Sequence, residues 1–133
     1  MTTPSVQPFR TAALAFAADV AGILIFVAIG RRNHGEGVTL GGVAWTALPF
    51  LVGLVLAWVI YRAWRTPTAI IPTGVSLWLS TIAIGMGLRA GIGEGIAWSF
   101  ILVATLATGV LLLGWRAAAA FAARRRAREK TAP

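Results

Sequence analysis

The chain has 133 residues, of which 58 % are apolar and only 12 % charged, where soluble domains carry about 45–50 % and about 25 %. One domain at most fits this length, the balance excludes an ordinary water-soluble globule, and the absence of cysteine excludes disulfides, thiolate metal sites and thiol catalysis. The net charge of +8 is a local property, since six of the twelve basic residues lie at or beyond Arg116.

In chain order, the first apolar stretch lies between Arg10 and Arg31, 20 residues interrupted only by Asp19. It predicts a helix over residues 12–30, because about 20 mostly apolar residues cross a hydrocarbon core. Lipid offers backbone amides no partners, so a helix is the conformation required. Ala15-Phe16-Ala17 resembles a signal-peptide cleavage motif, but the apolar run continues well past it and favours a retained helix. Asp19 lies about 18 Å from Arg31 at 1.5 Å per residue, near mid-membrane. A charge there costs roughly 2.5–3.5 kcal/mol, so Asp19 is expected to face the bundle. Ala15 and Gly22 share its face, a small-residue stripe suited to close helix contact.

The first helix ends in "GRRNHGEG", residues 30–37, which gathers Arg31, Arg32, His34 and Glu36. Residues 37–61 are uncharged and predict the second helix, over 43–62, with Pro49 inside it. Residues 66–88 are likewise uncharged and predict the third, over 69–89, with Pro72 in its first turn. Ser76, Ser80 and Thr81 on that helix are the expected hydrogen-bonding partners of Asp19, followed by Thr105 and Thr108 on the fourth. The second glycine-rich loop, "GLRAGIGEG", residues 87–95, brings Arg89 and Glu94. The fourth helix follows over 96–116, which makes residues 1–116 a transmembrane domain. Residues 117–133 form a basic tail of good helix formers. Its Arg124, Arg125, Arg126, Arg128 and Lys130 are candidates for contact with anionic headgroups, worth about 1 kcal/mol each.

The fold expected is all-α, an integral membrane bundle of four transmembrane helices. With both termini cytoplasmic the inner side holds nine basic residues and the outer side three, the asymmetry that sets orientation in a cell membrane. Trp45 and Trp98 then fall at the outer interface and Trp58, Trp64 and Trp115 at the inner one, as an aromatic belt requires. Trp78 is left in mid-span, where its indole N–H needs a partner.

The two halves echo each other. Gly30-Arg31-Arg32 aligns with Gly87-Leu88-Arg89, Glu36-Gly37 with Glu94-Gly95, and Val43-Ala44-Trp45-Thr46 with Ile96-Ala97-Trp98-Ser99. Asp19 then falls on Ser76, and the first loop is longer by about five residues. The alignment suggests two parallel helical-hairpin repeats. Arginine in a last helical turn and glutamate before the next helix suit the helix dipoles, so capping explains most of both loops. Arg31, Arg32, His34, Glu36, Arg89 and Glu94 remain a candidate charged cluster on the outer face.

No catalytic residues are assigned, because the serines have no histidine near them in sequence. One histidine cannot supply a metal or haem ligand set, so no metal and no cofactor are expected. Nucleic acid is not an expected partner, since the tail lacks the aromatic platforms of single-strand binding. Membrane lipids, a second copy or a larger membrane complex are. The leading reading is a small non-catalytic membrane subunit or accessory protein. The alternative is an oligomeric small-solute or ion transporter or channel that uses Asp19, although the helices provide no Lys, Arg or His for it to relay with. Asp19, the "GRRNH" that closes the first helix, "WLSTIAIGMGLR" and "GWR" at the end of the fourth together resemble domain-of-unknown-function family 3054, over roughly residues 10–117. That resemblance implies a small four-helix integral membrane protein of bacteria and archaea, without an assigned activity.

Overall fold

The computed structural model describes residues 6–131. Four helices account for most of them: α1 (Val6–Asn33), α2 (Leu40–Ile60), α3 (Val75–Gly91) and α4 (Trp98–Thr131). Each is long and apolar enough to cross a membrane, counting the irregular turn that leads into α3. They form an all-α, multi-pass membrane bundle in which successive helices pack together and α4 closes back on α1. Short loops, residues 34–39 and 92–97, join α1 to α2 and α3 to α4 at what we term the loop end. The α2–α3 connection, the start of α1 and the end of α4 lie at the opposite, terminal end.

Helices in lipid gain no hydrophobic drive toward one another, so close van der Waals packing must hold them. The tightest seam is α2 against α3. A Cβ placed on Gly53 would stand 3.0 Å from the Thr81 carbonyl oxygen and 3.3 Å from the Gly85 amide nitrogen. Gly85 is in turn covered by the Phe50 ring. On the α3–α4 seam the Trp78 ring fills the space beside Gly109 that a Cβ would occupy, and its indole donates to the Thr105 carbonyl at 2.8 Å. The mid-span indole thereby finds its partner in helix backbone. Leu24, Val55, Leu79 and Leu106 point outward, as apolar as the core itself, because a lipid-facing surface needs no polar cover.

The start of α3 and the relative length of the two short loops depart from the sequence expectation. Regular α3 begins at Val75 rather than 69, and Ile70–Gly74 forms an irregular turn in which Ile71 is extended (φ −122°, ψ 128°). A residue before proline is driven toward that conformation, so Pro72 lies in the approach to the helix and not in its first regular turn. The two short loops also have equal length, six residues each, so the five-residue difference between them disappears. Trp98 opens α4, whereas Trp45 sits in the second turn of α2; their sequence similarity does not mark equivalent positions.

Gly53→Val is expected to lower the melting temperature of the detergent-solubilised protein by an amount equivalent to about 1–3 kcal/mol, as overpacking does. Gly87→Ala, where a Cβ meets nothing within 4 Å, should leave the melting temperature unchanged.

Candidate functional site

Two polar sites occupy opposite ends of the bundle. At the terminal end, Asp19 of α1 and Arg116 of α4 are both fully buried and form a bidentate pair. Arg116 Nη1 donates to Oδ1 at 2.7 Å and Nη2 to Oδ2 at 2.8 Å. Two indoles complete the shell: Trp115 Nε1 donates to Oδ1 at 2.9 Å and Trp58 Nε1 to Oδ2 at 3.1 Å. Each carboxylate oxygen thus accepts two hydrogen bonds. Arg116 is anchored further by its Nε, which donates to the Pro67 carbonyl at 3.0 Å, and by a second bond from Nη1 to the Leu112 carbonyl. Its guanidinium carbon stands 4.4 Å from the Trp115 ring centroid, within cation–π range. α1, α2, α4 and the α2–α3 connection all meet at this one ion pair.

This geometry replaces the expected partners of Asp19. Ser80 of α3 donates to the Tyr61 hydroxyl, Thr108 donates to its own helix backbone, and the buried Thr81 hydroxyl has no hydrogen-bond partner among the described residues. Ser76 and Thr105 do not reach Asp19 either. The expectation that no intramembrane cation is available also fails. Arg116 lies near the end of the apolar run and reads as a flanking charge, but helical side chains lean toward the N-terminus of their helix. Its side chain runs back along α4 past Leu112 and enters the core. Trp58 and Trp115 turn inward with it and serve the carboxylate rather than an interfacial belt.

At the loop end a cavity of about 540 Å³ opens between the helices. Arg31, His34, Glu36, Arg89 and Glu94 line it, whereas Arg32, exposed at the end of α1, does not. Phe26 and Phe100 form the apolar floor, packed on each other and on buried Phe50.

The two loops that frame the cavity are congruent in a register of 58 residues. "RRNHGEG" (31–37) and "RAGIGEG" (89–95) both begin with arginine and end in Gly-Glu-Gly. Arg31 Nε donates to the Gly37 carbonyl at 2.9 Å, and Arg89 Nε to the Gly95 carbonyl at 2.7 Å. The Glu36 amide bonds to the Arg31 carbonyl as the Glu94 amide does to that of Arg89. Gly35 and Gly93 both take left-handed φ values, 68° and 83°, which glycine adopts without steric cost. Arg31, not Arg32, is therefore the counterpart of Arg89. The side chains nevertheless differ. Arg31 pairs with Glu36 at 3.3 Å and also donates to the Thr46 hydroxyl. Arg89 has no ion pair among the described residues; it stands 4.5 Å over the Phe100 ring, and Glu94 accepts only the Trp45 indole at 3.4 Å.

A family model described as a protein of unknown function (DUF3054) matches residues 16–119. The match takes in the ion pair, both indoles and both loops, and ends before the basic arm. No curated protein and no solved structure matches the chain.

Asp19→Asn or Arg116→Leu alone leaves one buried group unpartnered and should cost about 3–5 kcal/mol, read as a large fall in melting temperature in detergent. The double variant Asp19→Leu/Arg116→Leu should recover most of that loss, since apolar replacement of a buried pair is often neutral or stabilising. Trp58→Phe removes one hydrogen bond to a charged group and should cost about 1.5–3 kcal/mol.

Proposed function

The chain belongs to the DUF3054 family of proteins of unknown function, and from that premise we propose that it is a non-catalytic subunit or accessory protein of a larger membrane assembly. The observation that carries this reading is the closure of Asp19. A carboxylate that binds a proton or cation in turnover needs access to solvent and a free acceptor site, whereas this one is fully buried and accepts four hydrogen bonds. The only carboxylate among the apolar spans is therefore committed to structure. Loops of six residues leave the lateral helix faces as the main surface for recognition, and those faces suit lipid, a second copy or other transmembrane helices. The basic asymmetry of nine to three favours a cytoplasmic terminal end, with Arg124 the nearest of the tail's basic residues to the anionic leaflet of the cell membrane.

The bundle also reads as two parallel hairpin repeats offset by 58 residues. Support comes from the congruent loops and from buried positions that recur in this register: Ala15 with Thr73, Ile23 with Thr81, Leu54 with Leu112, and Trp58 with Arg116. In this register Asp19 corresponds to Leu77, so the polar half of the pair occurs once and the duplicated frame encloses a single ion pair.

The rival reading, a carrier or channel coupled through Asp19, draws on the loop-end cavity. It would require Arg116 to release the carboxylate in every cycle. Native mass spectrometry of the protein gently extracted from its own membrane should give a stoichiometric heteromeric complex. A pure homo-oligomer would overturn the subunit reading. Proton flux in reconstituted vesicles, abolished by Asp19→Asn in a variant that still folds, would establish the carrier instead.

A further inference from the structure

The loop-end cavity combines three features: an arginine without an ion-pair partner among the described residues, a glutamate that makes no ion pair there, and an apolar floor. Arg31 and Glu36 of the first loop neutralise each other. The second loop has the same backbone bonds and the same residue types, yet Arg89 and Glu94 do not close into a pair. Arg89 uses Nε to hold the loop and turns its guanidinium over Phe100, so its terminal nitrogens keep their donors. Glu94 has the long contact with Trp45 and otherwise free acceptor capacity.

Opposite charges that line one partly enclosed cavity without meeting are each incompletely solvated, and a ligand with complementary groups satisfies both. The lining carries two arginines and two glutamates and so has no net charge beyond His34. That selects against a simple anion or cation. About 540 Å³ lies within the usual range of small-ligand sites. Phe26, Phe100 and Val103 form a surface for hydrocarbon below the charged groups.

We propose that this cavity binds a zwitterionic amphiphile, with its anionic group on Arg89, its ammonium on Glu94 and its apolar portion on the Phe26–Phe100 floor. A phosphoethanolamine lipid headgroup and a free apolar amino acid share this chemistry. The inference is independent of the subunit reading, since a subunit and a free-standing protein would hold such a ligand alike.

The test is native mass spectrometry of the detergent-purified full chain, titrated separately with phosphatidylethanolamine, with phosphatidylglycerol of the same acyl chains, and with leucine. A saturable one-to-one adduct is expected with phosphatidylethanolamine if the source is lipid, or with leucine if it is a free solute. Phosphatidylglycerol, which lacks the ammonium, should bind at least tenfold more weakly than the zwitterion that does bind. Arg89→Gln and Glu94→Gln should each weaken the adduct at least tenfold, and Arg32→Gln, outside the cavity, should not. Equal binding of phosphatidylglycerol and phosphatidylethanolamine would overturn the proposal, as would the absence of a saturable adduct with all three probes. So would unchanged binding in Arg89 and Glu94 variants that melt with the wild type. The comparison of the three probes on the unmutated protein decides the matter even if a variant does not fold.

Discussion

A carboxylate and a guanidinium inside a lipid-embedded bundle are tolerable only together, and that condition organises the terminal half of this protein. Asp19 must be reached by Arg116 from α4, which ties the first helix to the last. Arg116 must have its remaining donors satisfied, which draws the Pro67 carbonyl over it and fixes the α2–α3 connection. The second lone pair on each carboxylate oxygen needs a donor, which turns Trp58 and Trp115 inward. Desolvation on this scale makes the pair a modest source of net stability at best. Its larger effect is to penalise any packing in which one member lacks the other, so that it selects one arrangement of helices among several with equally apolar faces.

Most of the architecture was legible in the spacing of charged residues. Stretches of at least 20 residues with at most one charge leave little choice in lipid, and the four helices follow. Asp19 was equally legible as a residue that must face inward. Its partner was not, because a charge at the end of an apolar run looks the same whether it snorkels outward or folds back. The direction in which helical side chains lean was the available signal, and α4 continues past Arg116 without a proline or glycine to mark the interface. The loop register was obscured differently. Trp45-Thr46 resembles Trp98-Ser99 closely enough to invite a gap of five residues, but the Arg-to-Gly-Glu-Gly spacing, identical in both loops, carried the 58-residue register in which the loops are congruent.

The two ends of the bundle solve the same electrostatic problem in opposite ways. The terminal end closes Asp19 and Arg116 on each other, on two indoles and on two backbone carbonyls. The loop end leaves a space, with one hairpin's arginine and glutamate satisfied locally and the other's held apart. Between them lie the aromatic trio of Phe26, Phe50 and Phe100, which floors the cavity, and the close Gly53–Thr81 contact. Binding at the loop end and stability at the terminal end are therefore separable by mutation.

The fourth helix is 34 residues long, about 51 Å at 1.5 Å per residue, and Arg116 clamps it a little beyond its midpoint. What leaves the bundle is thus a stiff post whose root cannot rotate without breaking the ion pair. At 100° per residue the five basic side chains from Arg124 to Lys130 are spread over roughly 240° of its circumference, so no single side could lie flat on a bilayer with all of them engaged. Continued along the bundle axis, the post carries Lys130 about 21 Å beyond Arg116, while electrostatic attraction to a leaflet fades over about 8 Å at physiological ionic strength. The bearing of that charged tip about the bundle axis is set by a carboxylate buried on a different helix.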